Sequence, residues 1–312
     1  MRRRFLVVLI ATTALGLPVV AAADESLEEL MENAGAGEFH AVGIVMCAWG
    51  DQSAAATYEV VRSRGMSMVH VPGRDLVLSR SLVAVGSGAD WYALEVAEWS
   101  SWTLSERYTL GDAVATSRLG RAATAVTVLE DGRPRARLVI DDESTIPLVT
   151  EILDGEGRVF RLASLVEFEP GTGEGHPEMP QDFGRRSVME RATATARLPE
   201  TAAGYRRADS YEAPGGALQS YYTDGLFSFS VFESRRGPMP NEFTQASEFE
   251  IDGEAYRRLV TPTNIWVHWS SPDRSYVLVG DLPPDHLLAV LADLPEPGDR
   301  AIFVQLWRRL FG

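Results

Sequence analysis

The sequence has no lysine; all 29 of its basic residues are arginine, and 44 acidic residues oppose them for a formal net charge of −15. A surface so short of cations disfavours nucleic acid, whose binding rests on neutralising phosphates, and equally disfavours adsorption to anionic lipid heads. It attracts a basic partner segment. The chain has a single cysteine, Cys47, which excludes an intrachain disulfide. Cys47 sits in an apolar, strand-like run and reads as a buried structural thiol, so the fold rests on packing. Catalytic signatures are also missing: no GxSxG elbow, no HExxH, no Walker loop and no GxGxxG after a strand. Gly171-Thr172-Gly173-Glu174-Gly175 has the wrong spacing for a phosphate cradle and follows Pro170. His40, His70, His176, His268 and His286 show no ligand spacing, and Asp141-Asp142-Glu143 reads as a solvated corner. We therefore expect no enzyme, no cofactor and no metal, although carboxylate-based hydrolases carry no short motif and stay as a distant alternative.

Only one long hydrophobic run is present, and it lies at the start. Arg2, Arg3 and Arg4 precede an apolar stretch from Phe5 to Val20, and Ala21-Ala22-Ala23 supplies the small residues of a cleavage site before Asp24. Residues 1–23 are read as a secretory signal, which implies a periplasmic protein. An uncleaved anchor is the alternative; the run is short for a span, and Pro18 interrupts it. The leader takes three arginines and no acid, so 26 arginines face 44 acids in the remainder, a net of −18.

The remainder opens on a short helical pattern. Ser26 and Glu29 have capping-box spacing, and Leu27, Leu30, Met31 and Ala34 share a stripe. Beyond it, extended segments near 38–48, 56–63, 66–72, 75–85, 90–99, 123–129, 135–141, 147–153 and 158–168 predict a large antiparallel sheet. Asp131-Gly132 and Asp154-Gly155-Glu156-Gly157 serve as turns. Six proline and glycine residues between Pro170 and Pro180 mark 170–196 as a linker. A smaller unit at 197–298 then combines hairpins at Asp224-Gly225, Asp252-Gly253 and Pro272-Asp273-Arg274 with a helix begun by Pro283-Pro284. In the tail, 299–312, an amphipathic helical pattern carries Ile302, Phe303, Leu306, Trp307, Leu310 and Phe311. It docks on its own protein or meets a partner or membrane surface.

Tyr221-Tyr222-Thr223-Asp224-Gly225-Leu226-Phe227-Ser228-Phe229-Ser230-Val231 resembles the Y-S-D-G-L-F-S-F-S-V run of the MucB/RseB family, periplasmic regulators of the sigma-E envelope-stress response. Further similarities follow in order. Leu198-Pro199 with Gly204-Tyr205 is similar to that family's L-P-x-G-[FY] entry, and Val279-Gly280-Asp281-Leu282-Pro283-Pro284 to its V-G-[ED]-L-P-P step. Leu138 to Asp141, Ile146-Pro147-Leu148 and Glu151 to Gly155 resemble its W-x-D…L-P-x-R…L-L-D hairpin.

The resemblance implies an α+β, mostly antiparallel fold. A lipoprotein-carrier-like unclosed half-barrel wrapped on helices (24–169) would be joined to a small α+β C-terminal domain. It implies a negative regulator that binds the periplasmic domain of a membrane-spanning anti-sigma factor, shields it from site-1 proteolysis and responds to a lipid, lipopolysaccharide or lipoprotein signal. A lipid or lipoprotein carrier is the alternative. Tyr222, Asp224, Leu226, Phe227 and Phe229 are the candidate peptide-binding residues at the interdomain groove, with a tight turn and core filling as their structural reading. Trp91, Trp99 and Trp102 are candidate cavity-lining residues, with ordinary packing as theirs.

Overall fold

The computed structural model describes residues 37–298 apart from 64–65, 72–73, 79–81, 88–89, 96–105, 172–186, 192–197, 214–216 and 236–240. The helix expected at Ser26–Ala34 and the tail after 298 lie outside the described residues.

A first sheet holds β1 (Phe39–Trp49), β2 (Gln52–Ser63), β3 (Met66–Val71), β4 (Arg74–Leu78), β5 (Leu82–Ser87), β6 (Asp90–Glu95), β7 (Tyr108–Arg118), β8 (Arg121–Glu130), β9 (Arg133–Asp141), β10 (Pro147–Leu153) and β11 (Val159–Pro170). Neighbours run β7-β8-β9-β10-β11-β1-β2-β3-β4-β5-β6, all antiparallel. Among the described residues β7 pairs with β8 alone, so the sheet is unclosed on that side. The single strand expected at 75–85 is two, β4 and β5, and β7 was not anticipated.

Turn chemistry explains the hairpins. Asp131-Gly132 and Asp252-Gly253 have φ of 48°, 77° and 53°, 85°, the left-handed pair that matches strand twist. Leu119-Gly120 and Ala203-Gly204 adopt the same pair without Asn or Asp in first place. Asp154 holds the β10–β11 turn by accepting from the Glu156 and Arg158 amides at 3.0 and 2.9 Å.

The second sheet holds β13 (Thr201–Ala202), β14 (Tyr205–Ala213), β15 (Ala217–Thr223), β16 (Ser228–Arg235), β17 (Ser247–Ile251), β18 (Glu254–Val260), β19 (Ile265–Ser270) and β20 (Arg274–Gly280). Their order is β13-β14-β15-β16-β20-β19-β18-β17, again antiparallel. The segment expected to be a bare linker carries β12 (Ser187–Arg191), which runs parallel to β6 and antiparallel to β14 and so ties the sheets together. Helix α1 (Pro284–Asp293) starts on proline and ends with Leu294 extended. It turns Leu287, Val290 and Leu291 inward, each fully buried. Burial of one such side chain stabilises by about 1.5–3 kcal/mol.

One core spans both sheets: Val128, Leu138, Ile152 and Cys47 from the first meet Phe229, Trp269, Leu278 and the α1 leucines from the second. Burial pushes the Cys47 thiol up to about 12, so it stays protonated, as its sequence context implied. Gly280 in central strand β20 lies opposite Phe229, where an added Cβ would stand 2.5 Å from the Phe229 Cβ and 2.9 Å from the Ser228 carbonyl. Backbone cannot retreat as a flexible tip can. Gly280→Ala is expected to lower unfolding stability by about 1–3 kcal/mol; an unchanged urea midpoint would refute this close packing.

Candidate functional site: the inner face of the first sheet and its junction with the second

Strand pairing sets one row across the first sheet: Thr57, Ile44, Ser164, Val149, Val139, Ala125 and Val114. The row contains no charge. Residues of opposite parity, such as Cys47, Ile152, Leu138 and Val128, turn the other way into the shared core. The row itself is only partly covered. Ile44 is 41% exposed and Val114 60%, two of the five large hydrophobic residues left exposed among the described ones.

Arg118 fixes which way this face curls. It lies at the end of β7 on the face of Val114, and its Nη2 donates to Ser164 Oγ at 3.0 Å and to the Leu165 carbonyl at 3.2 Å. Strands β8, β9 and β10 intervene, and four steps of about 4.8 Å along a flat sheet make roughly 19 Å. No arginine spans that distance. The sheet must therefore bend towards this face, and the uncharged row lines the inside of the curl. Arg121 follows suit, its guanidinium 5.5 Å from the Phe168 ring centroid and 2.6 Å from Asp141. The neighbouring rows of this face carry charge, Glu59 and Glu167 beside Val42 on one side and Glu151 beside Arg137 on the other.

The opposite face meets the second sheet across a polar junction. Asp224 is its central acceptor from the second sheet. Its Oδ1 accepts from the Leu226 and Phe227 amides at 3.0 and 2.8 Å, which holds the turn in which Gly225 has φ 93°. Its Oδ2 accepts from Tyr108 Oη at 2.7 Å and pairs with Arg107, both from the first sheet's edge. Glu130 at the end of β8 is the reciprocal acceptor. It takes Arg135 Nε at 2.5 Å and His286 Nε2 at 2.9 Å, with the Arg107 Nε at 3.3 Å. Arg135 reaches Asp285 at the start of α1 with two bonds of 3.0 and 2.8 Å. Tyr205 Oη closes the chain on His286 Nδ1 at 2.7 Å. Arg161 of β11 adds an ion pair with Asp281 at 3.3 Å.

A second fastening lies by the β1–β2 turn. The Arg258 guanidinium sits 4.4 Å above Trp49 and 5.7 Å from Phe249, and pairs with Asp51 at 3.0 Å. Such stacks contribute about 0.5–1 kcal/mol or more where water is excluded.

The sequence-predicted residues fall inside this junction. Tyr222 is buried, stacked on Phe229 at 4.8 Å, and donates to the Pro199 carbonyl. Phe227 is buried edge-on to Tyr108 and His286, and Phe229 edge-on to Tyr205. Leu226 is half-buried and packs on the shared core. Asp224 and the three aromatic residues stand in the turn and the core of the junction. Trp91 lies in β6 opposite Gly86; Trp99 and Trp102 lie outside the described residues. Arg107, Arg118, Glu130 and Arg135 went unnoticed in the sequence, where isolated charges have no spacing signal, and His286 stood out there only as a histidine without ligand spacing. Among the described residues no group of three or more His, Cys, Asp or Glu is placed to hold a metal ion.

Charge balance follows the geometry. Burial raises the Glu130 carboxyl, but His286, Arg135 and Arg107 outweigh it and hold it below the ordinary range. Asp285 is likewise lowered, Arg135 overcoming burial. Burial and the neighbouring Asp224 carboxylate push the Tyr108 phenol well up, so it remains a donor.

No family model matches the chain, and no curated protein matches it. Among solved structures it is similar to MucB in complex with the periplasmic part of MucA, at 16% identity over 88% of this chain and 98% of that one, with a TM-score of 0.48. The Pseudomonas aeruginosa MucA/MucB complex gives 16% identity over 86% and 96%, with a TM-score of 0.47. An uncharacterised conserved protein of Thermus thermophilus gives 14% over 52% and 96%, with a TM-score of 0.35.

Removal of the Asp224 carboxylate strands Arg107 and Tyr108, and loss of one partner of a buried ion pair costs about 3–5 kcal/mol. Asp224→Ala is expected to destabilise by that order in chemical denaturation, and a loss under about 1 kcal/mol would show the junction carries little. Glu130 and Asp285 have folded values below their unfolded ones. Their stabilisation is therefore complete above the ordinary carboxylate range, and is lost as pH falls through the folded values. Melting temperature should be flat near neutrality and fall below about pH 4, where those carboxylates begin to protonate; a fall between pH 7 and 5 would contradict this assignment.

Proposed function

We propose that this protein is a periplasmic negative regulator that binds the periplasmic domain of a membrane-spanning anti-sigma factor and responds to an amphipathic ligand. Binding would shield that domain from site-1 proteolysis and so restrain a sigma-E envelope-stress response. The observation that carries the reading is where the resembling residues stand. Asp224-Gly225 forms the junction turn, and Phe227 and Phe229 fill the junction core. Tyr205 bonds His286, Gly280 admits Phe229, and Asp281 pairs with Arg161. The ordered resemblance to the MucB/RseB family is thus concentrated on residues that join two sheets, the feature a two-part clasp needs.

Charge and shape support the same reading. A net of −18 beyond the leader attracts a basic peptide segment. The half-exposed inner row accepts an acyl chain without disturbing the core on the other face. A ligand that binds better to one arrangement of the two sheets shifts the population, and peptide affinity changes with it.

The half-exposed, uncharged row by itself also favours a second reading, a lipid or lipoprotein carrier. One experiment separates them. The protein without its leader is mixed with the periplasmic domain of a membrane-spanning anti-sigma factor from the same organism, and exposed to the site-1 protease. The regulator reading expects a stable complex and cleavage slowed about tenfold or more, since 1.4 kcal/mol of coupling is already tenfold. Absence of a complex, with acyl chains co-purifying, would transfer the case to the carrier.

A further inference from the structure

The first sheet ends on a strand whose outer edge carries few guards. Edge strands are ordinarily kept from pairing with other chains by charge, proline, short length or cover. The second sheet follows this at β17, a short edge strand on which Glu248 and Glu250 stand exposed. Strand β7 does not. Past the bulge at Gly111 and Asp112, Ala113-Val114-Ala115-Thr116-Ser117 hold no charge and no proline, and every one of them is exposed. Consecutive strand residues point to opposite faces, so both faces of β7 are open here. Among the described residues β8 is the one neighbour of this strand.

The hairpin sets the hydrogen-bonding phase of the free edge. Leu119-Gly120 is a two-residue loop with φ of 54° and 74°, which closes on Arg118 and Arg121 as a hydrogen-bonded pair. Val114 and Thr116 therefore direct their N–H and C=O at β8, and Ala113, Ala115 and Ser117 direct theirs outward. The Ala122 carbonyl agrees with this phase. Its residue lies opposite Ser117, and it turns away from β7 to accept from the Asp142 amide at 3.1 Å. The outward groups are thus spaced evenly about Ala115.

We propose that the β7 edge pairs with the same edge of a second copy of this chain, antiparallel about a two-fold axis at Ala115. In that register Ala115 faces Ala115, Ala113 faces Ser117 and Val114 faces Thr116. Each outward N–H then meets an outward C=O, as hydrogen-bonded antiparallel pairs require. The small side chains at 113, 115 and 117 keep the axis clear, and Asp112 of one copy comes level with Arg118 of the other at both ends. A copy of the strand is therefore complementary to it in hydrogen bonding, shape and charge. A basic segment finds no acid to answer it between 113 and 117. The joined sheet runs unbroken through both copies. An edge this short buries little surface, so the dimer is weak and forms at about tens of micromolar. The inference goes beyond the regulator reading and does not depend on it.

The test uses the chain without its leader. Sedimentation velocity from about 1 to about 200 µM should show a reversible passage from monomer to dimer. Ala115→Lys sets two like charges across the axis and should raise the dissociation constant about tenfold or more. Ala115→Pro removes an N–H that the monomer leaves unused, so the melting temperature should hold while the dimer is lost. Ala115→Cys should cross-link two copies under mild oxidation, since Cα atoms of such a pair stand about 5.5 Å apart, within disulfide reach. Thr109→Cys, exposed on the same strand but far from the axis, should not, and the buried Cys47 does not compete. A wild-type chain that stays monomeric at the highest concentration would overturn the proposal. So would a dimer that survives both Ala115→Lys and Ala115→Pro, or cross-linking of Thr109→Cys as readily as Ala115→Cys. If the Lys and Pro variants leave the oligomeric state unchanged and weaken the complex with the anti-sigma domain, the edge takes a partner's strand and self-pairing falls.

Discussion

Two buried carboxylates, Glu130 from the first sheet and Asp224 from the second, face each other through Arg107. Each also holds further donors: Arg135 and His286 on one, Tyr108 and two turn amides on the other. Ions taken from water cost several kcal/mol each, and this cost is offset only when nearly every lone pair finds a donor. Here the donors come from both sheets. The junction therefore has a defined register, since a slide of one sheet over the other would strand charge in a low-dielectric interior. Hydrophobic burial in the shared core supplies the attraction, and the network selects the geometry.

Specificity at the junction leaves the first sheet free to be asymmetric. One of its faces is committed to core. The other is curled inward and carries both exposed apolar residues, Ile44 and Val114, and charged ones, Glu59, Arg137 and Glu151. Strand β7 is open at its edge, where Ala113 to Ser117 are exposed and the neighbour on one side is missing among the described residues.

Much of the strand pattern was legible because alternation and turn chemistry are local. Strands β1, β8, β9, β10 and β11 fall within a few residues of expectation, and α1 begins where the paired prolines placed it. Strand β7 was missed for a physical reason: Gly111 and Asp112 sit in a register shift between Leu110 and Ala113, and small residues follow. That bulge breaks the period on which the reading depends. Leu119-Gly120 and Ala203-Gly204 were missed as turns because their first residues do not favour positive φ; only the paired strands hold them there. The strand within 187–191 was hidden since its partners, β6 and β14, are remote in sequence and impose the pairing.

The sequence by itself determined a lysine-free acidic surface, a core without disulfides, the antiparallel character and the Asp-Gly turns, all properties of composition or of residues within a few positions of one another. Tertiary structure alone decided which face of the large sheet became core. It also put Asp224 against Arg107 across 117 positions, and Arg135 against Asp285 across 150. It left Arg118 among neutral acceptors. Such pairings arise from how a twisted sheet curls and docks. No local pattern encodes that, since the energy of a buried charge depends on which distant groups reach it.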